Sequence, residues 1–165
     1  MKILVVRHGF AGDETDKEDP DRKLTPEGRE DVRALAVWLE KYNEIPSCIY
    51  SGPRVRCVET AKILQTELGL PKVELEDGLG PGKGNSLAQV VKRLASNRRL
   101  KRIAIVSNHD AIDEGLRALD LIEHEIQFDR IAMAELRILD VKRKSGKWEE
   151  KLRVMPSDLG GEDRY

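Results

Sequence analysis

Apolar positions along this chain fall into two kinds of run. Ile3-Leu4-Val5-Val6 and Ile103-Ala104-Ile105-Val106 are short and unbroken, which predicts strands buried on both faces. Cys48-Ile49-Tyr50-Ser51 predicts another short strand, and the alternation over 72–76 a further one. Between these runs, apolar residues recur at helical spacing. Val32, Leu35, Ala36 and Leu39 predict a helix over 26–41, and Val58, Ala61, Leu64 and Leu68 one over about 54–68. Leu87, Val90, Val91 and Leu94 mark a third, and Ile112, Leu116 and Leu119 a fourth that follows Asp110. The punctuation agrees. Thr25 is a good N-cap with Pro26 at the first helical position, Gly69 is a good C-cap, and Asn85 or Ser86 caps the third helix. Residues 130–140 and 147–154 predict two strands joined at Ser145-Gly146. The tail after Pro156 is rich in Gly and Asp and is expected to fray.

Strand and helix repeated, then a hairpin, predict an α/β three-layer sandwich: a mainly parallel sheet, helices on both faces and a C-terminal antiparallel hairpin. No repeat or linker divides the chain, so 1–156 are expected to form a single domain and 157–165 a polar tail. At 165 residues the chain is long enough for one full core. With 36% charged and 39% hydrophobic residues, it reads as a globular protein with a heavily charged surface. The net charge of −1 argues against a generalised nucleic-acid surface. No apolar run approaches the ~18 residues of a membrane span. Cys48 and Cys57 lack metal-ligand spacing, and reduced thiols in the cytoplasm are expected.

Chemistry enters at the strand ends. The first run breaks into Arg7-His8-Gly9 and the later one into Ser107-Asn108-His109-Asp110. A cation and an imidazole at the end of a buried strand are costly unless something there uses them. In an open α/β sheet the carboxyl ends of the strands are where ligands bind, and two parallel strands bring both ends to one edge. Arg7 offers a planar fork of donors suited to phosphate or carboxylate, and His8, which can be neutral near pH 7, can act as nucleophile, base or metal ligand. Gly9 lets the backbone approach a ligand closely.

Three other features draw less. The acidic stretch Asp13, Glu14, Asp16, Glu18, Asp19 and Asp21 does not follow a calcium-loop spacing, so a solvated loop is expected. Gly78-Leu-Gly-Pro-Gly-Lys-Gly-Asn follows a strand and precedes a helix, but only three residues separate Gly78 from Gly82-Lys83. Gly84 stands where a magnesium-holding Ser or Thr would be, so the loop reads as a rim rather than a nucleotide cradle. His124 has no placement at a strand end and is expected on the surface.

In order along the chain, these residues resemble the histidine phosphatase superfamily, and within it the short phosphohistidine phosphatases of the SixA type. Arg7-His8-Gly9 looks like the defining motif of that family. Asp21-Arg22-x-Leu24-Thr25-x-x-Gly28 is similar to the segment opening its first helix. Ser51-x-Pro53-x-x-Arg56-x-x-x-Thr60-Ala61 looks like its second phosphate-binding segment. Val106-x-x-His109 resembles its second histidine, and Met155-Pro156-x-x-Leu159 its C-terminal end. Asn108 and Gly52 depart from commoner Gly and Ser without removing a catalytic group.

The resemblance implies a phosphatase in which His8 is the nucleophile and Arg7, Arg56 and His109 line the phosphate pocket, with Gly9 beside them. Arg56 is preferred to Arg54 on the spacing to Thr60-Ala61. Also expected are no cofactor and no metal, a phosphohistidine-bearing protein domain as substrate, no nucleic acid or membrane partner, and a monomer or weak dimer; a phosphatase of small phosphomonoesters and a non-catalytic phosphoprotein-binding module are the alternatives. Larger members carry a Glu acid in a long inserted segment that this sequence lacks. Glu76 and Asp77 sit near the expected place and Asp110 follows His109, none a clear acid.

Overall fold

The two unbroken apolar runs become adjacent central strands. In the computed structural model, which describes residues 1–12, 21–80, 86–121, 131–142, 145 and 147–164, they are β1 (Lys2–Arg7) and β4 (Arg102–Ser107). They pair in parallel, with Val6 opposite Val106 and Arg7 opposite Ser107. The other strands are β2 (Ile49–Ser51), β3 (Val73–Leu75), β5 (Leu136–Lys142) and β6 (Lys147–Val154). They form one six-stranded sheet in the order β3-β2-β4-β1-β5-β6. β3, β2, β4 and β1 run parallel; β5 and β6 add the antiparallel hairpin.

The period of two along β1 divides its side chains between two cores. Ile3 and Val5 face α3 (Ser86–Ser96) and α4 (His109–Arg117), packing with Leu87, Val91, Ile112 and Leu116. Leu4 and Val6 face α1 (Pro26–Lys41) and α2 (Val55–Glu67), packing with Val32, Leu35, Leu39, Ala61 and Leu64. This is the three-layer α/β sandwich expected from the pattern. Each of the Val, Leu and Ile side chains among these contributes about 1.5–3 kcal/mol on burial. Among the described residues no helix is long and apolar enough to cross a membrane.

Local chemistry sets the helix ends. Thr25 caps α1, its Oγ1 accepting from Gly28 N–H at 3.1 Å, with Pro26 first in the helix. Gly69 closes α2 at φ +63, where a Cβ is disfavoured. α3 begins at Ser86; Asn85 and the rest of 81–85 lie outside the described residues, as do residues 13–20 and His124.

Four expectations change. The buried stripe of α2 runs through Cys57, not Val58, which is half-buried. Ala61, Leu64 and Leu68 stay inward as expected, and the first turn of the inward face is shared with the buried Arg56 and Thr60. α4 starts at His109 rather than after Asp110. The first hairpin strand starts at Leu136, not 130, because residues 131–135 form a turn that bonds the end of β1. Residues 157–164 of the tail are tied to the fold rather than left loose. A 3-10 turn at Pro156–Leu159 follows β6, Ser157 bonds Asp163, and Arg164 reaches Asp31 of α1 at 2.7 Å.

Candidate active site

His8 is the first residue beyond β1, and its backbone is held from both sides. Its N–H donates to Ser107 C=O at 3.1 Å, and its carbonyl accepts from Ala134 N–H at 3.0 Å. The ring is fixed just as tightly. Nδ1 lies 2.8 Å from the Gly9 carbonyl, which can only accept, so Nδ1 carries the proton. Nε2 therefore presents its lone pair, and it accepts from Arg56 Nε–H at 3.0 Å. Burial pushes the imidazole well below its ordinary pKa, and the charges of Arg7, Arg56 and Arg22 push it the same way, against the hydrogen bond to Gly9. The result is a neutral imidazole in one tautomer, surrounded by guanidiniums.

Arg7 is buried, and its Nη1 donates to Ile131 C=O while its backbone N–H donates to Glu135 C=O. Arg56 is buried in the first turn of α2, where the helix N-terminus also favours an anion. Gly9 donates its N–H to Thr60 Oγ1 at 3.0 Å, and Thr60 donates to Arg56 C=O at 2.8 Å. One hydroxyl thus ties the loop that carries His8 to the helix that carries Arg56. A Cβ on Gly9 would sit 2.6 Å from Gly28 C=O and 2.9 Å from Val32 Cγ2. Glycine is required there by α1, and both of its polar groups are used in holding the site.

His109 stands at the same sheet edge as the first residue of α4, half-exposed, with Nδ1 3.3 Å from Asp110 Oδ1. That bond lowers the Asp110 pKa, and the charges of Arg7 and Arg54 lower it further, so Asp110 is held as a carboxylate within their field. Glu76 is engaged elsewhere: its carboxylate pairs with Arg93 of α3. Asp77 is exposed in the 3-10 turn Asp77–Leu79.

The structure therefore joins His8, Gly9 and Arg56 by hydrogen bonds, places the charge of Arg7 where it acts on His8, and sets His109 at the adjoining strand end. Arg54 lies further out, close enough to act on Asp110 and Cys57. Two neighbours were not singled out from sequence. Arg22 acts on His8 from the segment before α1, which Glu59 anchors by accepting Leu24 N–H at 2.7 Å. Thr60 makes the bridge just described. Both belong to motif segments read from the sequence, and that membership was the one available signal. Among the described residues no group of three or more His, Cys, Asp or Glu could hold a metal ion. An oriented lone pair amid several guanidiniums can accept a phosphoryl group and stabilise its oxygens.

Residues 3–80 match the family model of the histidine phosphatase superfamily (branch 1). An uncharacterised protein of Picosynechococcus sp. is 36% identical over 83 residues, covering 49% of this chain; the match spans about half of that relative's length. The structure of the protein histidine phosphatase SixA complexed with tungstate superposes with a TM-score of 0.80 at 21% identity, covering 96% of this chain and 99% of that one. A phosphoserine phosphatase variant from Entamoeba histolytica in complex with phosphoserine gives 0.73 at 18% identity, covering 96% and 98%. At these identities the likeness is one of fold.

Proposed function

We propose, from the match of residues 3–80 to the histidine phosphatase superfamily model and from the geometry around His8, that this protein is a phosphatase that removes phosphate from phosphohistidine on a protein, through a covalent phosphohistidine on His8. One observation carries the reading: Nδ1–H is committed to Gly9 C=O, which leaves the Nε2 lone pair facing Arg56. In the first step Nε2 attacks phosphorus in line. The bond to the substrate nitrogen breaks, its electron pair stays on the departing imidazole, and that nitrogen takes a proton from solvent. Arg7, Arg56 and Arg22 stabilise the equatorial oxygens. Water then attacks the phosphoryl group on His8, orthophosphate leaves, and the electron pair returns to Nε2. His109, at the rim with Asp110, is placed to bond a phosphoryl oxygen or the water.

The choice of substrate rests on the leaving group. An alkyl phosphate releases an alkoxide and needs a positioned proton donor, which typically contributes ~10²–10⁴-fold. The sequence has no long insertion carrying a Glu acid, Glu76 is paired with Arg93, and Asp110 is held as a carboxylate. Phosphohistidine needs such a donor least. The fold neighbours include a phosphoserine phosphatase, so the test sets the two classes side by side.

Values of kcat/KM for a phosphohistidine domain, an aryl phosphate and an alkyl phosphate in one buffer should fall in that order. Alkyl phosphates turned over as fast as phosphohistidine, with a large loss in Glu76→Gln, Asp77→Asn or Asp110→Asn, would move the function to small phosphomonoesters. Rapid quench should trap an acid-labile phosphate on His8; label persisting in His8→Ala would overturn the nucleophile. Turnover should survive EDTA. Loss in EDTA restored by a divalent ion would show a metal-dependent reaction.

A further inference from the structure

The turn at 131–135 contains a fully buried carboxylate that the reaction scheme does not use. Glu135 is 0% exposed. Its Oε1 accepts from Arg137 Nε at 2.8 Å, and its Oε2 accepts from Arg153 Nη2 at 3.0 Å. Oε2 also accepts the backbone N–H of Ala132 at 2.7 Å, closing the turn from inside. Arg137 is itself buried and continues to Glu150 of β6 at 3.2 Å. A buried charge set of this kind is expensive to assemble and is weak as a source of stability alone.

What the turn presents to β1 explains its position. Ile131 C=O receives Arg7 Nη1, Glu135 C=O receives Arg7 N–H at 3.0 Å, and Ala134 N–H donates to His8 C=O at 3.0 Å. The turn holds the guanidinium of Arg7, its backbone and the backbone of the nucleophile at once. It does so in a conformation the chain resists, since Ala134 sits at φ +60 in the left-handed region. Something must hold the turn there, and the Glu135 carboxylate, pinned by two arginines and bonded to Ala132, is placed to do it.

The geometry points to Glu135 as a positioning residue for phosphate binding: through the 131–135 turn it aims Arg7 at the phosphoryl oxygens beside His8. This rests on the phosphate-pocket reading of Arg7 and His8, but not on which phosphorylated substrate is used. Glu135 touches neither phosphate nor the reacting nitrogen. Its effect should therefore appear only through Arg7.

The experiment is a double-mutant cycle in orthophosphate affinity, by calorimetric titration of the full chain near neutral pH. The forms compared are the natural protein, Arg7→Ala, Glu135→Gln and the double variant, with a urea midpoint for each. Gln keeps an acceptor for Ala132 N–H and the volume of the side chain, but loses the charge that holds Arg137 and Arg153. Glu135→Gln is expected to weaken orthophosphate about tenfold, the scale of a misplaced charged hydrogen bond. In the Arg7→Ala background it should weaken binding less than about twofold further. A purely structural role would lower the urea midpoint, leave the affinity of the folded protein unchanged and so overturn the inference; additive losses would overturn it as well. Should Glu135→Gln fail to fold, Arg153→Gln, at a partly exposed site, replaces it in the same cycle. A loss of about threefold, again absent without Arg7, is then expected, and unchanged affinity overturns the proposal. Because the cycle uses no substrate, failure of the phosphohistidine assignment shows separately in the substrate comparison. A natural protein that does not bind orthophosphate overturns the pocket itself.

Discussion

His8 is a buried base whose proton balance differs between the folded and unfolded chain. Its folded pKa lies well below the ordinary 6.5, while the unfolded imidazole titrates near that value. Between the two, the unfolded chain binds more protons. Stability therefore rises with pH across that window, is fully present above about 6.5 and is lost as pH falls below it. The urea midpoint should drop more steeply on acidification below 6.5 in the natural protein than in His8→Gln; parallel curves would show that His8 is not held neutral. The acid limb of kcat/KM should likewise lie well below 6.5. Thr60 makes a second prediction at this scale. Thr60→Val keeps the shape but removes the acceptor of Gly9 N–H and the tie to Arg56. A buried donor left without an acceptor costs about 1–3 kcal/mol, measurable by urea denaturation, and turnover should fall with it because Gly9 holds His8 Nδ1. A Val variant as stable and as fast as the natural protein would show that this bridge is incidental.

At the scale of elements, α1 packs on the exit of β1 through two glycines. A Cβ at Gly28 would lie 2.1 Å from Phe10 C=O and 2.6 Å from Phe10 N. Helix propensity alone favours Gly28→Ala by about 0.5–1 kcal/mol. The collision is with backbone, which cannot rotate away as a side chain can. Gly28→Ala should therefore destabilise by about 1–3 kcal/mol or more, and should slow turnover, because Phe10 follows His8-Gly9 in the chain. Gly69→Ala is the contrast. It meets nothing within 4 Å but must adopt φ +63. Its cost should be about 1–2 kcal/mol with turnover intact. Thermal unfolding and kinetics on the pair separate a packing glycine from a conformational one; equal effects on turnover would refute the distinction.

For the molecule as a whole, the chain's last described residues are tied back to its first layers. Arg164 bonds Asp31 at 2.7 Å, its guanidinium lies 5.3 Å from the centre of the Phe10 ring, and its carbonyl accepts from Met133 N–H at 2.7 Å. The tail thereby joins α1, the exit of β1 and the 131–135 turn. Burial already raises the Asp31 pKa, and Arg164 opposes that rise. Arg164→Ala should raise it further and lower stability by about 1 kcal/mol, or ~2–4 °C in Tm for a chain of this size. Calorimetry showing no change in Tm would mean the tail merely lies on the surface.

How much of this was legible in the sequence follows from the range of the forces involved. The pattern specified the two central strands, the helix 26–41 with its Thr25 cap, and the placement of His8 and His109 at strand ends, because burial periodicity and capping act over a few residues. The motif spacing singled out Arg56 over Arg54, and the structure sets Arg56 Nε against His8 Nε2. What depends on pairs distant in sequence was not legible. The start of β5 at Leu136, the left-handed Ala134, the docking of the tail and the buried Glu135 with its partners Arg137 and the half-buried Arg153 are each fixed by partners that the fold brings together. The state of His8 belongs there too. Its identity and position were local information, but its tautomer and its depressed pKa come from Gly9 C=O, from burial and from arginines 7, 22 and 56, and only the tertiary structure places those charges around one ring, because a carbonyl's aim and a guanidinium's distance have no signature along the chain.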